Sequence, residues 1–180
     1  MSLKISSSKL HCIIDCSGSM TEYGKRMLMV NLLRYIRQFT TQHSQSSRYF
    51  SWQKDIAEMN WSAQVDVELP AAEGSSDLAA LCSWTEANPE VILLVLTDGY
   101  FKLTAQQRHQ LTKLDNLYIV GVGGDADLAQ LNTLSQHSYR AEQLDHVLHT
   151  IWRPKTAAVG PTSRVEFAVV LVEDEPDDEW

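Results

Sequence analysis

The chain has 180 residues and a formal net charge of −8, with 44% hydrophobic and 21% charged residues. That length suits one domain with a sizeable core and is short for two ordinary domains plus a linker. The composition is that of a globular chain rather than a disordered one, and no apolar run approaches the roughly 18 residues that span a bilayer. Six of the acidic residues, Glu173, Asp174, Glu175, Asp177, Asp178 and Glu179, cluster at the carboxyl end and leave about −2 on the rest of the chain. With the body of the chain at about −2, nucleic acid is not an expected partner. The first residues, M-S-L-K-I-S-S-S-K, lack the apolar core of a signal peptide, so a cytoplasmic location is expected. Cys12, Cys16 and Cys82 are odd in number and show no paired metal spacing, which predicts buried reduced thiols.

In chain order, residues 10–20 (L-H-C-I-I-D-C-S-G-S-M) are an apolar run ending in a carboxylate, two hydroxyls and a glycine, the pattern of a buried parallel strand that opens into a loop. Residues 24–42 space Met27, Leu28, Val30, Leu32, Leu33, Ile36 and Phe39 as one broad face of a helix. Residues 48–53 and 64–69 read as two strands, the second alternating Val65, Val67 and Leu69 with Asp66 and Glu68, and residues 54–60 as a turn or short hairpin loop. A short helix follows at 77–87, stopped by Asn88 and Pro89. The run V-I-L-L-V-L at 91–96 is the best candidate for a central strand. Further helices are predicted at 104–114, 127–135 and 144–152, with strands at 116–122 and 139–141. This alternation indicates an α/β fold, a doubly wound and mostly parallel sheet covered by helices on both faces. Residues 154–163, with Pro154, Gly160 and Pro161, read as a linker between a domain at 1–153 and a carboxyl-terminal strand and acidic tail at 164–180.

Three strand ends carry the chemistry. Asp15, Ser17 and Ser19 occupy the first loop, Ser76 the second (G-S-S-D-L, 74–78), and Asp98 the third (T-D-G-Y, 97–100). Open α/β sheets bind ligands at such carboxyl ends. Neutral hydroxyls with two carboxylates suit a hard divalent cation such as magnesium, manganese or calcium. A cation held this way keeps much of its charge and accepts an external carboxylate.

These loops resemble those of the von Willebrand factor A family, whose metal-ion-dependent adhesion site uses Asp-x-Ser-x-Ser, a Thr and an Asp. The order of the three loops and the strand-helix pattern from residue 10 to about 152 agree with it. In the second loop this chain has Ser76 where the family carries Thr, so the hydroxyl is kept and a methyl lost. The resemblance is strongest to small bacterial single-domain members, which are often encoded or assembled with ATPases, kinases or phosphatases and act as adaptors. It implies metal ligation by Asp15, Ser17, Ser19, Ser76 and Asp98, a protein partner offering Asp or Glu, and no catalytic activity.

Plainer readings exist for the same residues. Ser19 with Glu22 fits a helix capping box, and Ser76 or Asp77 an N-cap. Residues 121–126 (G-V-G-G-D-A) match a dinucleotide-binding pattern but follow a late strand, where a strand-to-helix turn explains the glycines. The histidines His109, His137, His146 and His149 read as surface or helix-flank residues. A metal-assisted hydrolase using Asp15 and Asp98 lacks an evident general base. A further alternative is a structural subunit with a vestigial metal site that binds through its carboxyl-terminal strand and tail.

Overall fold

The apolar run ending at Asp15 forms β1 (Leu10–Asp15), buried along its whole length. A strand covered on both faces needs no polar alternation, which is why the run is continuous. The computed structural model describes residues 9–22, 24–61 and 65–152. The linker, strand and tail expected at 154–180 lie outside the described residues. β1 lies between β2 (Ser47–Trp52) and β4 (Ile92–Thr97), parallel to both, with Leu10 opposite Ser47 and Ile92. Completing the six-stranded sheet are β3 (Ile56–Glu58), β5 (Leu117–Gly121) and β6 (His137–Arg140), in the order β3-β2-β1-β4-β5-β6. Among the described strands only β3 is antiparallel. The chain passes from β1 to β2 on one side and from β4 to β5 on the other, so the crevice outside the carboxyl ends of β1 and β4 is the topological switch point.

Side-chain alternation divides the core in two. Cys12, Ile14, Leu94, Leu96 and Val120 pack against α1 (Lys25–Gln42) and α5 (Leu144–Ile151), through Met29, Leu33, Ile36, Val147 and Leu148. On the other face Ile13, Phe50, Trp52, Val95 and Ile119 meet α2 (Leu78–Ala87), α3 (Ala105–Leu111) and α4 (Leu128–Leu131). The doubly wound, mostly parallel α/β sheet is thus as expected, with α3 and α4 shorter than their periodicity suggested. All three cysteines are free and buried.

The strand expected at 64–69 is not there: residues 65–69 have no ladder partner, and the edge of β2 is filled by β3 inside the stretch read as a loop. Only Gln53, Lys54 and Asp55 separate Trp52 from its partner Ile56, so the hairpin claims that edge before residues 65–69 can reach it. Their alternation is nonetheless real as burial. Val67 and Leu69 pack into the α1 face while Val65 is exposed. The backbone is strapped down by α1 side chains, with Arg26 donating to the carbonyls of Leu69 and Pro70 and Arg34 paired with Asp66. Alternate burial does not require a ladder.

His11, on β1, is buried between Phe50 and Trp84, with ring centroids 4.9 and 6.0 Å away, and neither ring nitrogen has a hydrogen-bond partner. Burial, aided by the Arg48 charge, holds its pKa below the ordinary histidine value. In acid, the unfolded chain therefore takes up the proton more readily than the folded one. The contribution of neutral His11 is complete above about pH 6.5 and declines as pH falls toward the lower folded value. Urea unfolding is expected to show a lower midpoint at pH 5 than at pH 7.5, and His11→Phe is expected to flatten that dependence.

Candidate metal centre

At the switch point the Asp15 carboxylate gathers the three loops. Its Oδ1 accepts the Ser17 backbone N–H at 2.8 Å and the Ser76 hydroxyl at 2.6 Å, while Oδ2 accepts the Thr97 hydroxyl at 2.5 Å. Asp15, Ser17, Ser76, Thr97 and Asp98 are all buried. The Ser17 and Ser19 hydroxyls stand 3.2 Å apart. Ser19 sits in a 3-10 turn, Gly18–Thr21, with no side-chain cap, so the expected Ser19–Glu22 capping box does not form. α1 begins later, at Lys25, after Gly24 in the left-handed region.

Backbone contacts hold the second loop against the first. The Gly18 N–H donates to the Gly74 carbonyl at 3.0 Å and the Glu73 N–H to the Cys16 carbonyl at 3.1 Å. The turn that permits this has φ of 62° at Gly74, a conformation that favours glycine. Gln53 Nε2 donates to the carbonyls of Cys16 and Ala71, tying the end of β2 to both loops. The cap of α2 belongs to Asp77, whose carboxylate accepts the Ala79 N–H at 2.8 Å. Ser76 is thereby free to face Asp15. Asp77→Ala is expected to cost about 1 kcal/mol of stability by denaturant titration, in the range of a lost N-cap, without changing cation binding.

Asp98 lies one residue beyond Thr97, and its hydrogen bonds among the described residues go elsewhere than to the hydroxyl cluster. Its Oδ1 accepts the Tyr100 N–H at 3.1 Å, and its Oδ2 is 2.9 Å from the Nζ of Lys25. Lys25 also pairs with Asp125 at 2.8 Å, and its side chain is fully buried. Burial works to lower the pKa of this ammonium, but the hydrogen bonds it donates to Asp125 and Asp98 prevail and the net shift is upward. Gly123 makes room for it: with φ of 102°, a Cβ there would fall 2.9 Å from Lys25 Cε. The glycines of residues 121–126 thus serve a strand-to-helix turn and the packing of Lys25. The Cys16 thiol is pushed up to about 11, first by burial and then by Asp15, which keeps it protonated and unreactive. Among the described residues no three His, Cys, Asp or Glu side chains cluster as a metal site, so the donors gathered here are mainly hydroxyls. Beside the centre runs a groove of about 880 Å³ bounded by Gln53, Lys54, residues 73–78, residues 99–102, Asp127 and Gln130.

No family model matches the sequence, and no curated protein matches it. Solved structures do. Proximal thread matrix protein 1 from the mussel byssus, with a zinc-occupied metal-ion-dependent site, aligns over 81% of this chain and 47% of its own at 12% identity, with a TM-score of 0.57. The manganese-loaded TRAP protein of Plasmodium vivax aligns over 81% of this chain and 73% of its own at 13% identity (TM-score 0.55). A von Willebrand factor type A protein from Catenulispora acidiphila aligns over 81% and 42% at 14% identity (TM-score 0.53). This chain has the von Willebrand factor A fold. It spans about half the length of the mussel protein.

Within that fold Asp15, Ser17, Ser19 and Ser76 come together, and Asp98 stands at the adjoining strand end. Thr97, which opens the T-D-G-Y stretch of the third loop, is a direct partner of Asp15. Lys25 and Asp125 were not foreseen at all. Lys25 stands at the start of an amphipathic helix and Asp125 in a glycine-rich turn, and no local pattern links either to Asp98.

Proposed function

We propose that this chain is a protein-binding adaptor or regulatory subunit that holds an Asp or Glu of a partner protein through a divalent cation. The observation that carries this reading is Asp15 gathering a backbone N–H and the hydroxyls of Ser76 and Thr97 from three loops at the switch point. Hydroxyl and carboxylate oxygens are the donor chemistry of magnesium, manganese and calcium. The zinc-occupied and manganese-loaded neighbours of the same fold support a cation here. Ser17, Ser19 and Ser76 would hold it with Asp15 and Asp98, and the cation would supply a positive centre for the partner's carboxylate. The exposed Lys54, Lys102 and Tyr100 along the groove would contact the residues around that carboxylate.

The role is binding without catalysis, and an ATPase, kinase or phosphatase of the same system is the partner class to test first. No helix among the described residues is long and apolar enough to cross a membrane; a cytoplasmic setting is part of the proposal. A second reading, a structural subunit with a vestigial site, draws support from the ammonium already seated on Asp98. Calorimetric titration of magnesium and manganese into wild type and Asp15→Ala separates the two. Saturable binding lost in the variant, with partner retention abolished by chelator, supports the adaptor. Retention that survives chelation but is lost on deleting residues 173–180 supports the structural subunit.

A further inference from the structure

Resting on the metal-centre reading above, we infer that Lys25 is a resident counter-cation of that centre, which weakens divalent-cation binding and leaves completion of the site to the partner's carboxylate. The Lys25 and Asp98 side chains are both fully buried, with Nζ 2.9 Å from Oδ2. The other oxygen of Asp98 already accepts the Tyr100 N–H. A divalent ion arriving among the hydroxyls of Ser17, Ser19 and Ser76 therefore meets an Asp98 that is charge-compensated before it comes.

The ammonium is held there from several sides. Asp125 pairs with it at 2.8 Å, and the Tyr100 ring lies 5.3 Å from Nζ. The Tyr100 hydroxyl in turn donates to the Asp125 carbonyl at 2.7 Å, linking the third loop to the turn that carries Asp125. Repulsion between a fixed ammonium and a divalent ion is screened far less in this buried place than at the surface. A partner carboxylate adds the missing negative charge, so cation and partner bind with positive coupling, each raising the affinity for the other.

The two partners of Asp98's neighbourhood give tests of opposite sign. Lys25→Met removes the positive charge and is expected to tighten manganese binding at least tenfold. Asp125→Asn leaves the whole ammonium charge to Asp98 and removes a nearby negative charge, so it is expected to weaken binding at least threefold. Free manganese is read by electron paramagnetic resonance during titration of the full chain, with magnesium competition as a second measure and Asp15→Ala as the site control. Affinity in folded Lys25→Met equal to or weaker than wild type overturns the inference, as does tighter binding in Asp125→Asn. Should Lys25→Met fail to fold, Asp125→Asn decides alone. Loss of binding in Asp15→Ala beside an unaltered Lys25→Met sinks only this inference. Asp15→Ala binding like wild type, or no binding in any of the four proteins, sinks the metal-centre reading and this inference with it.

Discussion

Lys25→Met is expected to destabilise the cation-free protein by about 3–5 kcal/mol, the usual cost of removing one partner from a buried ion pair. The substitution leaves the Asp98 carboxylate fully buried, with the Tyr100 N–H as its remaining hydrogen bond. Asp125 is partly exposed and can turn to water, so the loss is concentrated on Asp98. Because the penalty comes from an uncompensated charge rather than from a missing attraction, the double variant Lys25→Met/Asp98→Asn is expected to recover most of it. Urea denaturation of the four corners of this cycle, with chelator present, measures the coupling directly. A double variant no more stable than Lys25→Met would mean that the loss arises from packing around the lysine stem. Adding manganese is expected to stabilise Lys25→Met more than wild type, since the ion then supplies the positive charge that Asp98 has lost.

Asp15→Ala is expected to abolish magnesium and manganese binding, with affinity falling at least a hundredfold, and to lower stability by about 2–4 kcal/mol. The two effects have different origins. The stability loss comes from buried donors left without an acceptor. The Ser17 N–H is fixed in the backbone and has no alternative, whereas the Ser76 hydroxyl already lies 3.3 Å from the Trp52 carbonyl and can turn to it. The binding loss comes from removing the carboxylate that gathers the hydroxyls and supplies negative charge. Asp15→Asn separates them, because its amide oxygen still accepts hydrogen bonds while the charge is gone. Near-native thermal stability with no cation binding is the expected result for that variant. An Asp15→Asn protein that binds manganese like wild type would show that the cation sits elsewhere.

Much of the fold is legible in the chain itself. The continuous apolar runs of β1 and β4 announce strands buried on both faces, and the spacing of Leu32, Leu33, Ile36 and Phe39 announces the helix that covers one of them, although Met27 of the expected face is exposed and Met29, outside it, is buried. The same reading failed between residues 54 and 69. Val67 and Leu69 do alternate in burial, but whether an alternating segment becomes a strand depends on a free sheet edge, and β3 had taken it. At the helix starts, local rules misled in one place and helped in another. The Ser19 and Glu22 spacing suggested a box that does not form, while Asp77 took the cap that Ser76 had been offered as a competing role.

What the amino-acid sequence determined by itself is the order of strands and helices outside residues 54–69, and the presence of Asp15, Ser17, Ser19, Ser76 and Asp98 in three loops, two after β1 and β4 and one leading into α2, since burial periodicity and turn chemistry act over a few residues. The tertiary structure alone decided which of those groups meet. Thr97 reaches Asp15, and Lys25 reaches both Asp98 and Asp125, only because β1, β4 and β5 lie side by side and α1 starts above their ends. Contacts between residues so far apart in the chain are set by strand order and helix packing. No spacing rule within a loop encodes them.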